Sequence, residues 1–318
     1  MARPVVLGVV GDSGAGKTTL TRGLIRMLGE DHVARMSADD YHRYDRRQRA
    51  QLGITPLDPD GNHLDILTQH LQHLRRGEAV LKPVYDHRDG TLRAPTYLQP
   101  RRFLVVEGLL GFHTETLRTA HDVRVFMAPP EALRRGWKLK RDCTRRGYTT
   151  DGVLAELDRR ERDAEQYVQP QQAHSDIVVS FREGDVRDPT RLDADVVLRD
   201  ELPHPDLSPM LAGAEGDPTL VRRERDLVLH IPGSLPPQRA QELEEALWSR
   251  IRFASHLRVR RLGEFTVGTD LRRSDSLALV QLLILYQLVT ARATFALGGD
   301  SVRSTLPQPK GADSALHE

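Results

Sequence analysis

The chain has 318 residues, and its 46 Lys and Arg residues nearly balance its 45 Asp and Glu residues, which leaves a net charge of +1. This balance argues against a nucleic-acid-binding protein, where we would expect a basic excess. Hydrophobic residues make up 39% and charged residues 29%, which excludes wholesale disorder, and the single cysteine excludes an intrachain disulfide and suits a reducing cytoplasm.

The first 200 residues alternate short apolar runs with helical patterns. The apolar runs predict β-strands over 4–10, 32–37, 102–108, 122–128 and 175–181. Helical spacing and glycine stops predict helices over 18–28, 65–76, 131–146 and 151–167. Such alternation is typical of a parallel sheet with helices on both faces. We expect no signal peptide, because the first run is short and leads into a glycine loop.

The rest of the chain divides into a junction, a smaller unit and a tail. Residues 182–225 are rich in Pro, Asp and Gly, with one short strand expected near 196–198. Beyond them we expect a strand over 227–231, a helix over 237–251, one or two strands within 257–268 and an apolar helix over 274–292. The apolar stretch 277–289 contains two glutamines and is too short to span a bilayer, so we expect a buried helix and no membrane contact.

The strongest motif is G-D-S-G-A-G-K-T at residues 11–18, which fits the phosphate-binding pattern G-x-x-x-x-G-K-[ST] between a predicted strand and a predicted helix. Backbone N–H groups of such a loop cradle phosphates, while Lys17 would reach the β- and γ-phosphates and Thr18 would ligate Mg²⁺. The motif predicts binding of ATP or GTP but does not distinguish a kinase from a switch. The predicted nucleotide-binding residues here are Gly11, Asp12, Ser13, Gly14, Ala15, Gly16, Lys17, Thr18 and Thr19.

The predicted fold class is therefore α/β, a P-loop NTPase-like parallel sheet flanked by helices with a smaller C-terminal α+β region. We place a P-loop kinase domain at 1–200, an α+β region that packs on or extends its sheet at 201–297, and a disordered tail at 298–318.

Charged residues follow the second predicted strand, where a parallel sheet presents its ligand-binding loops. Asp39 is a candidate general base for phosphoryl transfer to an alcohol, although Asp39 or Asp40 could instead cap the next helix. Downstream guanidinium groups would suit an anionic substrate or form a solvated face, and they belong to Arg43, Arg46, Arg47 and Arg49.

Two further motifs would complete a phosphoryl-transfer site. Glu107 ends the strand at 102–108 and can face the nucleotide magnesium, or it is a simple polar strand end. Lys138, Arg141 and Arg145 share one face of the helix at 131–146. That face would suit a lid over the transferring phosphoryl group, with a solvated helix face as the alternative.

These segments resemble phosphoribulokinases. The sequence D-D-Y-H-R-Y-D-R-R-Q-R at 39–49 looks like the corresponding family segment without a gap, and segments 53–59, 82–90, 105–109, 137–147 and 174–178 are also similar. The C-terminal region is similar to the cyanobacterial, plant and archaeal-type branch, chiefly near 268–269 and in the next helix. Uridine kinases share the fold and the phosphate loop, but not the D-D-Y-H run.

The resemblance implies a homodimeric enzyme that uses ATP and Mg²⁺ to phosphorylate O1 of ribulose 5-phosphate in the Calvin cycle. Asp39 would be the base, and Lys138 would bridge the substrate and the transferring phosphoryl group. The other implied roles are catalytic for Lys17, Arg141 and Asp142, nucleotide-binding for Arg146, magnesium-binding for Thr18 and Glu107, and substrate-binding for His42, Arg46, Arg49, Tyr85 and His87.

Two positions depart from the plant-type enzymes. Ala15 and Ser37 stand where those enzymes carry cysteines, and Cys143 is the one cysteine of this chain. We therefore expect no thiol–disulfide switch and no effect of dithiothreitol on activity. Clear activation by the reductant would contradict this expectation.

Other functions stay open at this point. A kinase of the same fold could act on another sugar phosphate or on uridine, although an uncharged nucleoside would not require the arginine cluster. A non-catalytic nucleotide-binding regulatory protein is a further alternative. The joint presence of Lys17, Thr18, Asp39, Glu107 and Asp142 argues against it.

Overall fold

The computed structural model describes residues 3–145, 147–184, 188, 190–211, 216–259, 261–267 and 269–303. The strands in chain order are β1 (Val5–Gly11), β2 (Val33–Ser37), β3 (Val80–Asp86), β4 (Thr91–Leu98), β5 (Phe103–Gly108), β6 (Val123–Met127), β7 (Ile177–Arg182), β8 (Asp193–Leu198), β9 (Thr219–Arg223), β10 (Asp226–Ile231), β11 (Glu264–Val267) and β12 (Asp270–Arg273). The α-helices are α1 (Lys17–Leu28), α2 (Arg46–Leu52), α3 (Leu64–Arg75), α4 (Glu115–Ala120), α5 (Glu131–Arg145), α6 (Thr150–Asp163), α7 (Pro237–Arg250) and α8 (Asp275–Ala296).

Eight strands form the main sheet in the order β2-β5-β1-β6-β7-β8-β10-β9. The first five strands are parallel, as predicted, and β8, β10 and β9 continue the sheet with antiparallel pairing. Because β10 pairs with β8, the C-terminal region extends the first sheet directly.

Helices cover both faces of the sheet, and β1 shows how its sequence places it between them. Val5, Leu7 and Val9 join a core cluster that contains apolar residues of α1, α7 and α8. Val6 points the other way and joins a cluster with α3 and α4. Because alternate side chains of a strand face opposite sides, a continuous apolar run suits a strand buried on both faces.

Two elements near the site were not predicted. The β3–β4 hairpin lacks a clear apolar alternation, because β4 is exposed or half-exposed along its whole length. Helix α2 has only seven residues, and its start is fixed by a capping box in which the Asp45 carboxylate accepts the Gln48 N–H while the Gln48 side chain accepts the Asp45 N–H.

Helix α8 corrects one expectation. It runs for 22 residues and, among the described helices, is the one long and apolar enough to cross a membrane. The expectation that its apolar stretch is too short to span a bilayer was therefore wrong. Its burial indicates a core helix and not a membrane span, since 72% of its most apolar 18-residue stretch is buried inside the protein. Gln281 accepts the Gly263 N–H at 3.0 Å and Gln287 donates to the Pro203 carbonyl at 2.9 Å.

The predicted tail from residue 298 lies partly outside the described residues, which end at 303. Arg303, the last of them, pairs with the buried carboxylate of Asp176. Disorder beyond it stays a prediction.

Candidate active site

A cavity of about 770 Å³ opens at the carboxyl ends of β1, β2 and β5. The phosphate loop, the β3–β4 hairpin and helices α5 and α6 meet around this cavity. We call α5 and α6 the lid helices. The predicted site residues that line the cavity are Ser13, Gly14, Ala15, Gly16, Lys17, Thr18, Thr19, Asp39, His42, Arg46, Arg49, Tyr85, His87, Glu107, Lys138, Arg141 and Asp142.

The phosphate loop runs from the end of β1 to the start of α1. Gly14 and Gly16 have φ angles of +88° and +91°, a region that favours glycine and lets the loop curl. The Lys17 ammonium donates to the carbonyls of Gly11 and Asp12 at 2.6 and 2.9 Å. Burial lowers the pKa of Lys17, and the nearby Asp39, Asp12 and Glu107 carboxylates oppose that shift.

Glu107 lies directly beside the start of α1. Its carboxylate accepts hydrogen bonds from the hydroxyls of Thr18 at 2.8 Å and Thr21 at 2.6 Å. The Thr18 and Glu107 oxygens therefore lie together beside the phosphate loop. Thr21 was not singled out from sequence, because nothing in the motif indicates which face of the helix meets β5.

Asp39 and Asp40 occupy a single 3-10 turn after β2, Ala38–Tyr41, and neither caps α2. Asp39 lines the cavity, with its carboxylate 3.9 Å from the His87 imidazole. The Asp40 side chain does not line the cavity; it pairs with Lys82 and accepts the Tyr85 N–H at 2.9 Å. The two acids therefore have separate surroundings.

His42, Arg46 and Arg49 lie on the acceptor side of the cavity. The Arg49 guanidinium is buried and donates to the Tyr85 hydroxyl at 2.6 Å, while Arg46 donates to the His87 carbonyl at 2.6 Å. These bonds tie α2 to the β3–β4 hairpin. Arg43 and Arg47, the other two arginines of the predicted cluster, are not among the described residues that line the cavity.

His42 is 4% exposed, and burial lowers its pKa to about 4. The amide nitrogen of Asn62 donates to the carbonyls of Pro56 and Asp58, which identifies its other atom as the oxygen. The His42 Nδ1–H therefore donates to Asn62 Oδ1 at 2.7 Å. A neutral ring with this tautomer has Nε2 as a hydrogen-bond acceptor.

The lid helices place an ion-pair network beside the phosphate loop. Lys138 is 2% exposed, and its ammonium lies 3.1 Å from Asp142 and 3.7 Å from Glu156 of α6. Burial lowers the pKa of Lys138, which the two carboxylates oppose. Arg141 bonds Asp142 at 2.8 Å and donates to the Ser13 hydroxyl at 3.2 Å.

A family model described as "Phosphoribulokinase / Uridine kinase family" matches residues 6–186, more than half of the chain. The chain belongs to this family.

Individual relatives agree with the assignment. The phosphoribulokinase of Synechocystis sp. is 36% identical over 190 residues, covering 60% of this chain and 55% of that protein. The chloroplastic phosphoribulokinase of Mesembryanthemum crystallinum is 31% identical over 195 residues, covering 56% of this chain and 49% of that protein. The chain thus spans about half the length of the curated relatives it matches.

A solved structure shows the same fold. The phosphoribulokinase from Rhodobacter spheroides superposes with a TM-score of 0.57 at 19% identity, covering 80% of this chain and 99% of that one.

This member of the phosphoribulokinase/uridine kinase family has cavity residues that sequence reasoning missed. They include Tyr148, Glu156, Arg159 and Arg160, all near or on α6. A charged helix pattern does not reveal which face turns inward, so no local signal could have selected them. Arg146, a predicted nucleotide ligand, lies outside the described residues.

Proposed function

We propose that this family member transfers the γ-phosphoryl group of ATP to O1 of D-ribulose 5-phosphate, giving ribulose 1,5-bisphosphate. The observation that carries the proposal is the placement of Asp39, His42, Arg46 and Arg49 in one cavity with the phosphate loop. A phosphorylated alcohol needs a carboxylate base near its hydroxyl and guanidinium groups for its own phosphate.

The predicted groups divide the tasks of this reaction between them. Asp39 accepts the proton of the O1 hydroxyl as that oxygen attacks the γ-phosphorus. Lys17, Lys138 and Arg141 stabilise the negative charge on the transferring phosphoryl group. Asp142 holds the last two cations in position through its ion pairs.

The residues at the phosphate loop fit Mg²⁺ as the metal, since hydroxyl and carboxylate oxygens are its preferred ligands. Thr18 and Glu107 would hold it, directly or through water. When bound, Mg²⁺ neutralises charge on the β- and γ-phosphate oxygens.

On the acceptor side, Arg46 and Arg49 would bind the sugar phosphate. The role of His42 within the substrate-binding set can be stated more closely. Its neutral ring with a proton on Nδ1 accepts a hydrogen bond at Nε2. It therefore suits a hydroxyl of the sugar better than the phosphate. Tyr85 packs edge-on against both His42 and His87 and would form the wall of the sugar pocket.

The deciding experiment measures ADP release from the purified protein with ATP and Mg²⁺. The four arms contain ribulose 5-phosphate, ribose 5-phosphate, uridine and no acceptor. We expect turnover with ribulose 5-phosphate alone. Turnover with a different acceptor would keep the phosphate-loop assignment and replace the substrate, whereas no turnover in any arm would favour a non-catalytic nucleotide binder.

A pair of variants tests the acceptor subsite. Arg46→Ala is expected to raise KM for the sugar phosphate at least 10-fold while changing KM for ATP little, because its guanidinium lies on the acceptor side. Arg47→Ala, an exposed neighbour on α2, is the control and should change neither constant. Equal effects of Arg46→Ala on both substrates would contradict the assignment.

The homodimer, the cytoplasmic location and a place in the Calvin cycle stay predictions. Light scattering of the purified protein measures the first of these directly.

A further inference from the structure

Asn62 is a buried polar residue behind the acceptor side of the cavity. It is 6% exposed and is not among the described residues that line the cavity. It nevertheless contacts a residue that does line the cavity, because its amide oxygen accepts the His42 Nδ1–H at 2.7 Å. Any effect of Asn62 on a substrate must therefore pass through the His42 ring.

The amide of Asn62 is held in one orientation. Its nitrogen donates to the Asp58 carbonyl at 2.7 Å and to the Pro56 carbonyl at 3.2 Å, which uses both of its hydrogens. Turning the amide over would place its oxygen against these two carbonyls and leave all three oxygens without a donor. The Asn62 atom that faces His42 is therefore an acceptor.

Backbone hydrogen bonds fix His42 and Asn62 side by side. The two residues form an antiparallel bridge, and next to it the Arg43 N–H donates to the Gly61 carbonyl at 2.9 Å. The Asn62 N–H donates to the Pro59 carbonyl at 3.0 Å, which closes the turn that leads into the bridge. The main chain therefore sets where the amide lies relative to the ring.

The surroundings of His42 keep its ring neutral near pH 7. Burial has the largest effect and lowers the pKa of His42 to about 4. Asp39 opposes this shift, whereas Arg49 of α2 and His87 of the β3–β4 hairpin lower the pKa further. The Tyr85 ring packs edge-on against it at 4.8 Å between centroids. A neutral ring holds one proton, so the nitrogen that carries this proton decides what the other nitrogen can bind.

We propose that Asn62 is a positioning residue for the acceptor: it holds the single proton of His42 on Nδ1 and thereby makes Nε2 the hydrogen-bond acceptor for a hydroxyl of the sugar. An ionised phosphate oxygen has no hydrogen to donate, so the same ring distinguishes the hydroxyls of the substrate from its phosphate. The inference rests on the proposed function for the identity of that hydroxyl. The tautomer itself is a property of the protein alone.

The first test observes the tautomer in the unmodified full chain without substrate. Nitrogen-15 NMR of histidine-labelled protein at about pH 7.5 distinguishes protonated from unprotonated ring nitrogens, and His42→Gln identifies the His42 signals by their loss. We expect a proton on Nδ1 and none on Nε2. A proton on Nε2, or on both nitrogens, would overturn the proposal. A failed ADP-release assay would leave this result unchanged, so the proposed function and the role of Asn62 fail separately.

The second test substitutes Asn62→Asp, which places a carboxylate beside Nδ1. The carboxylate raises the pKa of His42 and favours a ring protonated on both nitrogens, in which Nε2 donates and no longer accepts. At about pH 6, KM for ribulose 5-phosphate should rise about 10-fold relative to the wild type, with KM for ATP unchanged. The ratio of variant to wild-type KM should fall as the pH rises to about 8.5, because the ring then loses its second proton. A ratio independent of pH would indicate a structural role alone and overturn the proposal.

Thr55→Val is the matched control, because it alters the same loop away from His42. Thr55 is 5% exposed, and its hydroxyl donates to the Asp163 carboxylate at 2.5 Å and accepts the Leu57 N–H at 3.1 Å. Both variants should lose stability in urea unfolding, but Thr55→Val should keep the KM ratio near one at both pH values. A pH-dependent KM ratio in Thr55→Val as well would count against a specific role of Asn62. If Asn62→Asp does not fold, the tautomer of the unmodified protein decides the question.

Discussion

At the scale of single residues, the adjacent acids Asp39 and Asp40 have different surroundings, for which we propose different tasks. Asp39 has a carboxylate that is 27% exposed and lines the cavity. Asp40 connects the loop after β2 to the β3–β4 hairpin through Lys82 and the Tyr85 N–H. Because Tyr85 and His87 are also on that hairpin, we propose that Asp40 positions the acceptor pocket without lining it.

Substituting each acid separates the two tasks. Asp39→Asn is expected to lower kcat by about 10²–10⁴-fold, the typical contribution of a general base, with little change in stability. Asp40→Asn leaves the Lys82 ammonium without its carboxylate partner and should reduce the free energy of unfolding by about 2 kcal/mol. Steady-state kinetics and urea unfolding of both variants measure this, and a stable Asp40→Asn protein would contradict it.

Arg160 is a cavity-lining arginine that sequence reasoning missed, and we propose that it binds the substrate. It lines the cavity and pairs with Glu156, yet its Nε atom is buried with no hydrogen-bond partner among the described residues. Buried polar groups normally have a partner, so an anionic substrate would supply one. Burial lowers the pKa of the Arg160 guanidinium, with Glu156 opposing the shift.

Arg160→Lys keeps the charge but removes the planar fork that binds phosphate in bidentate fashion. We expect it to raise KM for the sugar phosphate about 10-fold, measured at saturating ATP. Arg162→Lys on the exposed side of α6 is the control. Identical constants for the two variants would show that Arg160 has no part in substrate binding.

At the scale of elements, the position of helix α5 depends on the shape of the phosphate loop. A Cβ atom at Gly14 would lie 3.0 Å from the Lys138 Cβ and 3.1 Å from the Arg134 carbonyl. Arg134 also pairs with Asp12 at 3.0 Å, so the helix contacts the loop both at Gly14 and two residues before it. A side chain at this position would therefore push α5 away from the loop.

The expected result for Gly14→Ala is at least a 10-fold loss of ADP affinity, because both the loop and the lid helix must shift. Gly77→Ala provides a matched control, since Gly77 has a φ of +85° but its Cβ would meet nothing within 4 Å. That variant should lose about 1 kcal/mol of stability from backbone strain and bind ADP normally. Equal ADP binding by both variants would argue against the close contact.

At the scale of the whole molecule, we expect a buried histidine to make stability depend on pH. His121 is 2% exposed; its Nδ1–H donates to the Leu117 carbonyl at 2.7 Å, while Nε2 is buried with no partner among the described residues. Burial lowers the pKa of His121 to about 4, against opposing effects of the Leu117 hydrogen bond and Asp122. Arg124 and Arg75 also face it and lower its pKa further.

The lowered pKa of His121 makes the folded protein less stable in acid. Below pH 6.5 the unfolded chain protonates this histidine while the folded protein does not, so stability falls as the pH drops toward 4. The loss should approach roughly 3 kcal/mol at the acid end. Urea unfolding between pH 7.5 and 4.5 should give a flatter profile for His121→Leu than for the wild type, with His42 retaining part of the slope. Parallel profiles would contradict this account.

Much of the fold could be predicted because its signals are local. Short, mostly apolar runs predicted β1, β2, β5, β6 and β7. A glycine with positive φ follows α5 at Gly147, where the sequence placed the end of that helix. The hairpin β3–β4 could not be predicted in the same way, because its exposed strand β4 has no buried face to impose a pattern. The full length of α8 was also underestimated, although its burial was expected correctly.

By itself, the sequence determined the phosphate loop, the parallel part of the sheet and the family resemblance, since each depends on residues close together in the chain. Only the tertiary structure decided which acid faces the cavity, which arginines line it, and that Phe265 and Leu277 of the C-terminal region also line it. Those outcomes depend on contacts between segments far apart in sequence, such as Arg26 with Glu264 and Ser276 with Leu192. The orientation of a side chain is set by what packs against it, and no local pattern contains that partner.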